Sequence, residues 1–493
     1  MTGTEDRTKV LESGLLIGGR WVHDSEGGTM EHINPANGKP HKTFAIASVN
    51  EVDEAVAAAR EALQTWRRWK PDARRDVLVR LAQLLADHTK EIGAIAALES
   101  GNIYSDYVGT YVSDWFRYYA GWADKITGES IHPYPFDGID FTVPEPVGVV
   151  GLIVTWNGPL GFCAMGGAPA LAAGCCLVIK SPELAPFSPV TFGRLCLEAG
   201  IPPGVVNVVT GGPEVGHALV SHPGIDKISF TGGTATARKL QEACAATLKP
   251  LVMELGGKSA SLVFPDCDIQ AAAERAVFWT VGCLSGQGCA LPTRQLVHAD
   301  IYDDFVARLQ AIIGQFKVGD PMDPTVMVGP VINRAAADRI TGMFDRAKAD
   351  GAAKFLLGGS RAGGALAEGN FIEPTLIVDA DPDHEISQDE IFGPAVVVMK
   401  FHDEDEAVAI ANNSEYGLAA YIQSNDLQRV HRLSERLHAG GVYVNGGFQI
   451  NPHTPFGGVG ISGFGKEGGK AGIDEFLHYK TVTIGVGAPI FPK

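Results

Sequence analysis

In SGQGCA, residues 285–290, a cysteine follows a glycine-rich turn and precedes a small residue. A thiolate is a strong nucleophile and a good leaving group, so Cys289 could carry covalent chemistry on a carbonyl. By type alone it could equally be a small buried filler, the ordinary fate of a free cysteine. Glu254 is the second candidate, standing directly after the apolar run LVM and before two glycines. A carboxylate at the end of a buried strand should have its pKa raised, which suits general-base work near neutral pH. The plainer alternative is a surface glutamate in a loop. Asn157, before Gly158-Pro159, reads by itself as a turn residue.

Such groups need a scaffold. The chain has 493 residues, 45% hydrophobic and 20% charged, which fits a globular protein of two to four domains at ~100–200 residues each. A formal net charge of −17 argues against a nucleic-acid partner, because phosphate binding needs a basic face. The eight cysteines are irregularly spaced, with no CxxC pair and no histidine cluster at zinc-ligand spacing, so neither a disulfide framework nor a metal site is expected. A reduced, cytoplasmic compartment is the simplest reading. The charged N-terminus MTGTEDRTKVLESG lacks the apolar core of a signal peptide. Residues 158–179 are uncharged and long enough to span a bilayer, but they are glycine-rich, and Gly174 divides a helix-like half from a strand-like half. A buried helix followed by a buried strand is expected, with no membrane partner.

Ser48-Val49-Asn50-Glu51 has the form of a capping box, and apolar residues then recur at helical spacing to Trp66. Pro71 is expected to break that helix, and a second helix to run through Leu78, Leu81, Leu85 and Ile92 to Gly101. From residue 147 short apolar runs alternate with helices: 147–155, 176–180, 205–209, 227–230 and 251–255. This pattern indicates a parallel sheet covered on both faces, a doubly wound dinucleotide-type α/β fold. A further α/β stretch runs from about 258 to 474. Asp137-Gly138 signals a hairpin within 126–146, and the β-branched run 481–491 could pair with it or with another subunit.

Six motifs now stand in order: TWNGP (155–159), KSPE (180–183), MELGGKS (253–259), SGQGC (285–289), EIFGP (390–394) and NPHTPFGGVGISGFG (451–465). At these spacings the chain closely resembles the NAD(P)-dependent aldehyde dehydrogenase superfamily over nearly its whole length. The resemblance implies a Rossmann-type cofactor domain (1–125 and 147–255), an α/β catalytic domain (256–474) and a small β oligomerisation arm (126–146 and 475–493). It implies a homodimer or homotetramer and a small-molecule aldehyde as substrate. Cys289 becomes the nucleophile and the other seven cysteines packing. The Asn157 amide and the Cys289 backbone N–H become the oxyanion donors, and Glu254 the base that activates water against a thioester. For the cofactor it implies Thr155, Trp156, Lys180, Glu183, Gly212, Gly232, Gly233, Leu255, Glu390 and Phe392. Lys180 and Glu183 would reach the adenine-side ribose. A carboxylate there accepts bonds from ribose hydroxyls and repels a 2′-phosphate, so NAD is expected over NADP.

The chain also departs from the family pattern. Gly233 stands where the family usually has Ser, Ala237 where it often has Gly, and Gly166 and Gly460 where many relatives have Lys. Gly288 and Leu291 beside the nucleophile are unusual. Glu254 and Cys289 stand 35 positions apart, one more than usual, which points to an extra residue between Trp279 and Ser285. Gly158 and Gly161 occupy positions that are often bulky. Phe448, Ile450 and Phe456, with Phe162, are expected along the substrate tunnel with no cation among them to hold a substrate carboxylate. A bulky apolar aldehyde, aromatic or terpenoid, is the expected substrate. The alternatives are a CoA-acylating dehydrogenase, whose relatives often lack the glutamate base, and a non-catalytic protein retaining the fold. A glutamyl-phosphate reductase would not be expected to carry MELGGKS.

Overall fold

The structure is a computed structural model describing residues 7–133, 137–447 and 450–485. After four short strands between residues 15 and 45 come four helices: α1 (Val49–Trp66), α2 (Pro71–Asp87), α3 (Thr89–Ser100) and α4 (Tyr107–Ala120). Ser48 caps α1 in a full capping box with Glu51. Pro71 opens α2 rather than breaking α1, because its missing N–H costs nothing in a first helical turn. The expected second helix is two, divided at His88, and α3 ends at Gly101 in the left-handed conformation.

Five parallel strands lie in the order Val206–Gly211, Cys176–Pro182, Val149–Ile153, Lys227–Thr231, Leu251–Glu254. The chain thus winds outward one way from its first parallel strand and then the other, leaving a crevice at the carboxyl ends where the direction reverses. Helices α5 (Pro159–Ala173), α6 (Phe187–Ala199), α7 (Pro213–Ser221) and α8 (Thr234–Ala245) make the crossovers. Helix α5 is buried almost all round and ends at left-handed Gly174, so the uncharged stretch is a core helix and a core strand. Among the described residues no helix is long and apolar enough to cross a membrane.

Immediately after Glu254 the chain enters a second sheet, Thr375–Val378, Ala395–Phe401, Arg294–His298, Ala260–Val263, Ala419–Gln423, Gly441–Val444, all parallel, with Lys354–Leu357 antiparallel at one edge. Gly463–Phe464, although late in sequence, returns to pair with Leu251–Glu254 at the edge of the first sheet. The architecture is a Rossmann-type α/β unit beside a second α/β unit. Leu477–Gly485 pairs antiparallel with Gly138–Pro146 over the full length of both strands, and Ser130–Ile131 adds a third strand. Residues 486–493 of the expected arm lie outside the described residues.

Candidate active site

Strand ends supply most of the site. Thr155, Trp156 and Asn157 follow the first parallel strand, Gly232 and Gly233 the fourth, and Glu254 closes the fifth. They converge on the crevice between the two sheets. Cys289 reaches it from the other side, at the end of a tightly determined turn. Phe278–Gly282 forms a single π turn, which takes up one residue more than an α turn and is where one added residue can be absorbed. Leu284, Ser285 and Gly286 then all adopt positive φ (51°, 52° and 75°), reversing the chain sharply. Ser285 Oγ accepts from Gly329 N at 2.8 Å, and Gln287 Oε1 accepts from Ile332 N at 2.9 Å, so both sides of the turn are pinned. The backbone oxygen of Cys289 lies 2.4 Å from where a Cβ at Gly257 would sit; only glycine lets MELGGKS pass so close.

Two cavities meet at this thiol. One, of about 660 Å³, is lined by Thr155, Trp156, Gly232, Gly233, Glu254, Leu255, Glu390 and Phe392, all expected from the sequence. The other, of about 640 Å³, is lined by Gly158, Gly161, Phe162 and Ile450, as expected, with Met165 and Trp279 beside the space the glycines leave, and further by Asn102, Tyr107, Val108, Tyr111 and Cys283. Cys289 and Asn157 face both. Cβ atoms at Gly158 and Gly161 would sit 3.7 Å from Phe162 and Tyr111, ordinary contact, so these glycines leave real space. Phe456 is not on the tunnel wall: it is buried in the core, and its backbone exchanges hydrogen bonds with Glu467. Phe448 lies outside the described residues. Six cysteines are buried as packing, but Cys283 is half-buried on the tunnel wall, its thiol pushed up to about 12 by burial.

Burial dominates the electrostatics of the candidate groups. Asn157 Nδ2 donates to Gln287 O at 2.8 Å, leaving its second N–H uncommitted. Burial, then the carboxylates of Glu390 and Glu254, raise the Cys289 thiol well above its ordinary range, so it rests protonated. Glu254 is 2% exposed, and neither carboxyl oxygen has a hydrogen-bond partner. Burial and the neighbouring Glu467 push its pKa far up. Glu467 is itself buried and raised, with one oxygen unpartnered. Sequence reasoning passed over it, because a glutamate in KEGG carries no sign of burial. The tunnel aromatics Tyr107 and Tyr111 on α4 also escaped, because nothing in their sequence neighbours marks a cavity wall.

The first cavity suits a dinucleotide. Helix α8 starts at Gly233 with no side-chain cap, so its first N–H groups are available to an anion, and a Cβ at Gly233 would meet nothing within 4 Å. The Glu390–Phe392 loop is clamped from both sides. Lys258 Nζ donates to Ile386 O at 2.8 Å and to Asp389 O, and Arg339 donates to Glu390 O (3.1 Å) and Ile391 O (2.6 Å). Phe392 sits at φ 53° with its ring edge-on to Trp156. Lys180 and Glu183 form an ion pair at 3.2 Å, and Gly212 caps α7. All three lie at the carboxyl ends of neighbouring strands, outside the wall of this cavity. Among the described residues no cluster could hold a metal ion.

Comparison with known proteins agrees along the chain. Residues 21–482 match the sequence model of the aldehyde dehydrogenase family. An aldehyde dehydrogenase of Aspergillus niger is 41% identical over 485 residues, covering 97% of this chain and 96% of that protein. The mitochondrial succinate-semialdehyde dehydrogenase of Arabidopsis thaliana is 38% identical, covering 97% and 91%. The crystal structure of betaine aldehyde dehydrogenase from Staphylococcus aureus in complex with NAD+ superposes with a TM-score of 0.95 at 32% identity, covering 99% of each chain.

Proposed function

The chain belongs to the aldehyde dehydrogenase family, and on that premise we propose that it oxidises a bulky apolar aldehyde, aromatic or terpenoid, to its carboxylic acid with NAD rather than NADP. The observation that carries this reading is the meeting of a dinucleotide-sized cavity and an aromatic-lined tunnel at one cysteine. Cys289 Sγ releases its proton to solvent water and bonds to the aldehyde carbon. The carbonyl oxygen, now an oxyanion, is held by the free N–H of Asn157 and the Cys289 backbone N–H. NAD, when bound, supplies a hydride acceptor. The remaining thioester is cleaved by water that gives its proton to the ionised fraction of Glu254, which passes a proton to the departing sulfur, releasing the acid and regenerating the thiol; because burial raises Glu254, this fraction grows as pH rises.

Helix α8 and Gly233 would face the pyrophosphate, Glu390 the nicotinamide-side ribose and Phe392 the nicotinamide. Gly212 would border the adenine side. Glu183, held by Lys180, supports NAD over NADP by repelling a 2′-phosphate. Eight free cysteines accord with a cytoplasmic setting. The proposed units are a cofactor domain (1–125, 147–255), a catalytic domain (256–474) and an arm (126–146, 475–493). Exposed Ile131, Ile139 and Ile484 on the arm suit burial in a homodimer or homotetramer.

The test is reduction of NAD and of NADP across acetaldehyde, succinic semialdehyde, benzaldehyde, cuminaldehyde and citral. The expected outcome is highest kcat/KM on the last three with NAD. Preference for the short or anionic members overturns the substrate class. Turnover that requires added CoA overturns hydrolysis.

A further inference from the structure

Residues 155–157 lie between a strand and α5 and belong to neither; only at Gly158 does a carbonyl take up the first helical bond, from Phe162 N at 3.1 Å, so the carbonyls of Trp156 and Asn157 need other partners. Two side chains from the end of α3 supply them instead. Ser100, fully buried, donates from Oγ to Trp156 O at 2.7 Å, and Asn102, 8% exposed, donates from Nδ2 to Asn157 O at 3.0 Å. Gly101 between them needs its left-handed φ of 74°, and a Cβ there would sit 2.6 Å from Pro330. Resting on the oxyanion role proposed above for Asn157, we infer that Ser100 and Asn102 are positioning residues that hold the main chain of Trp156 and Asn157, and so aim the Asn157 amide.

The orientation of Asn102 supports this. Facing a carbonyl, its amide must present nitrogen, which leaves Oδ1 buried without a partner. A stranded acceptor is unfavourable, and an apolar residue of the same shape would fill the space without it. Asn102 also borders the second cavity, but its oxygen is buried and finds no partner there, so the one hydrogen bond its amide makes is the donor that ends on the backbone of Asn157. Asn157 in turn bonds Gln287, two residues before the nucleophile, so a small shift of its backbone moves the oxyanion donor relative to Cys289.

The experiment is a double-mutant cycle in the full-length enzyme. Asn102→Leu and Ser100→Ala would each be made alone and with Asn157→Ala, and assayed on the best aldehyde of the panel above. Thermal unfolding and NAD binding would be followed in parallel. Each single change should lower kcat by about fivefold to tenfold, the loss of one hydrogen bond, with NAD affinity unchanged. In the Asn157→Ala background each should change kcat by less than about twofold, because residues acting through one group are non-additive. The same fold-loss in both backgrounds would overturn the inference, as would wild-type kcat in both single variants. Ser100→Ala removes one oxygen only and stands as the test should Asn102→Leu not fold. If Asn157→Ala is itself neutral, the oxyanion reading falls and the inference with it; if Asn157→Ala is damaging, only the inference is at stake.

Discussion

Cys289 is enclosed by carboxylates and apolar walls that keep its proton on, the reverse of a thiol activated by a cation or a helix N-terminus. Alkylation by iodoacetamide should therefore be slow at pH 7 and climb about tenfold per pH unit through pH 9 without a plateau; a plateau below pH 7 would refute a resting thiol. Glu254→Gln keeps the shape of the proposed base but removes its proton acceptance. A burst of one reduced cofactor per site should survive that change, while steady-state turnover falls by about 100-fold or more. Gly161→Leu should place a side chain in the tunnel near Tyr111, lowering kcat/KM for cuminaldehyde by about tenfold and sparing acetaldehyde. Cys289 and Glu254 stand out in the sequence by type, a thiol behind flexible glycines and a carboxylate where a buried strand ends, while their proposed roles and the open space at Gly161 come from the family resemblance. Glu467, Asn102 and Tyr111 do not stand out. Each acts through what it touches in the fold, and its sequence neighbours are those of an ordinary surface or core residue.

Helices and strands were legible where local chemistry agrees with tertiary need. The Ser48 capping box, Gly101 and Gly174 each mark a helix end by side-chain bonding or by a backbone conformation that glycine tolerates. Pro71 misled because the same residue that ends one helix also favours starting another. The division at His88 left no mark, because apolar spacing continues across it. The single π turn before the nucleophile shows how an extra residue can be taken up inside a helix rather than in a loop, leaving the left-handed run intact. That run depends on Gly286. A Cβ there would lie 2.0 Å from Gly393 O, on a residue with φ 75°. Gly286→Ala is expected to cost about 3 kcal/mol or more, seen as a lowered Tm, and to abolish turnover.

Across the whole molecule, buried carboxyls set how stability varies with pH. Glu254 and Glu467 are raised by burial, and Glu99 and Glu390 are pushed up to about 7. Folded, these groups hold protons that the unfolded chain releases near pH 4.5. Their favourable contribution is present below that pH and is lost as pH rises towards and past 7. Lys258, lowered to about 7 by burial, acts the other way above pH 7. The difference between wild type and Glu467→Gln isolates one carboxyl: the variant should gain Tm relative to wild type as pH rises from 5.5 to 8.5, and a constant gap would count against a raised Glu467. The two cavities also bear on how such a protein can diversify. Among the described residues, only Asn157, Phe162 and Cys289 belong to both walls. Random libraries at Tyr107, Val108 and Met165 could therefore recode substrate range while inheriting cofactor recognition unchanged. Phe162 is the place where a new appetite would first disturb the old one.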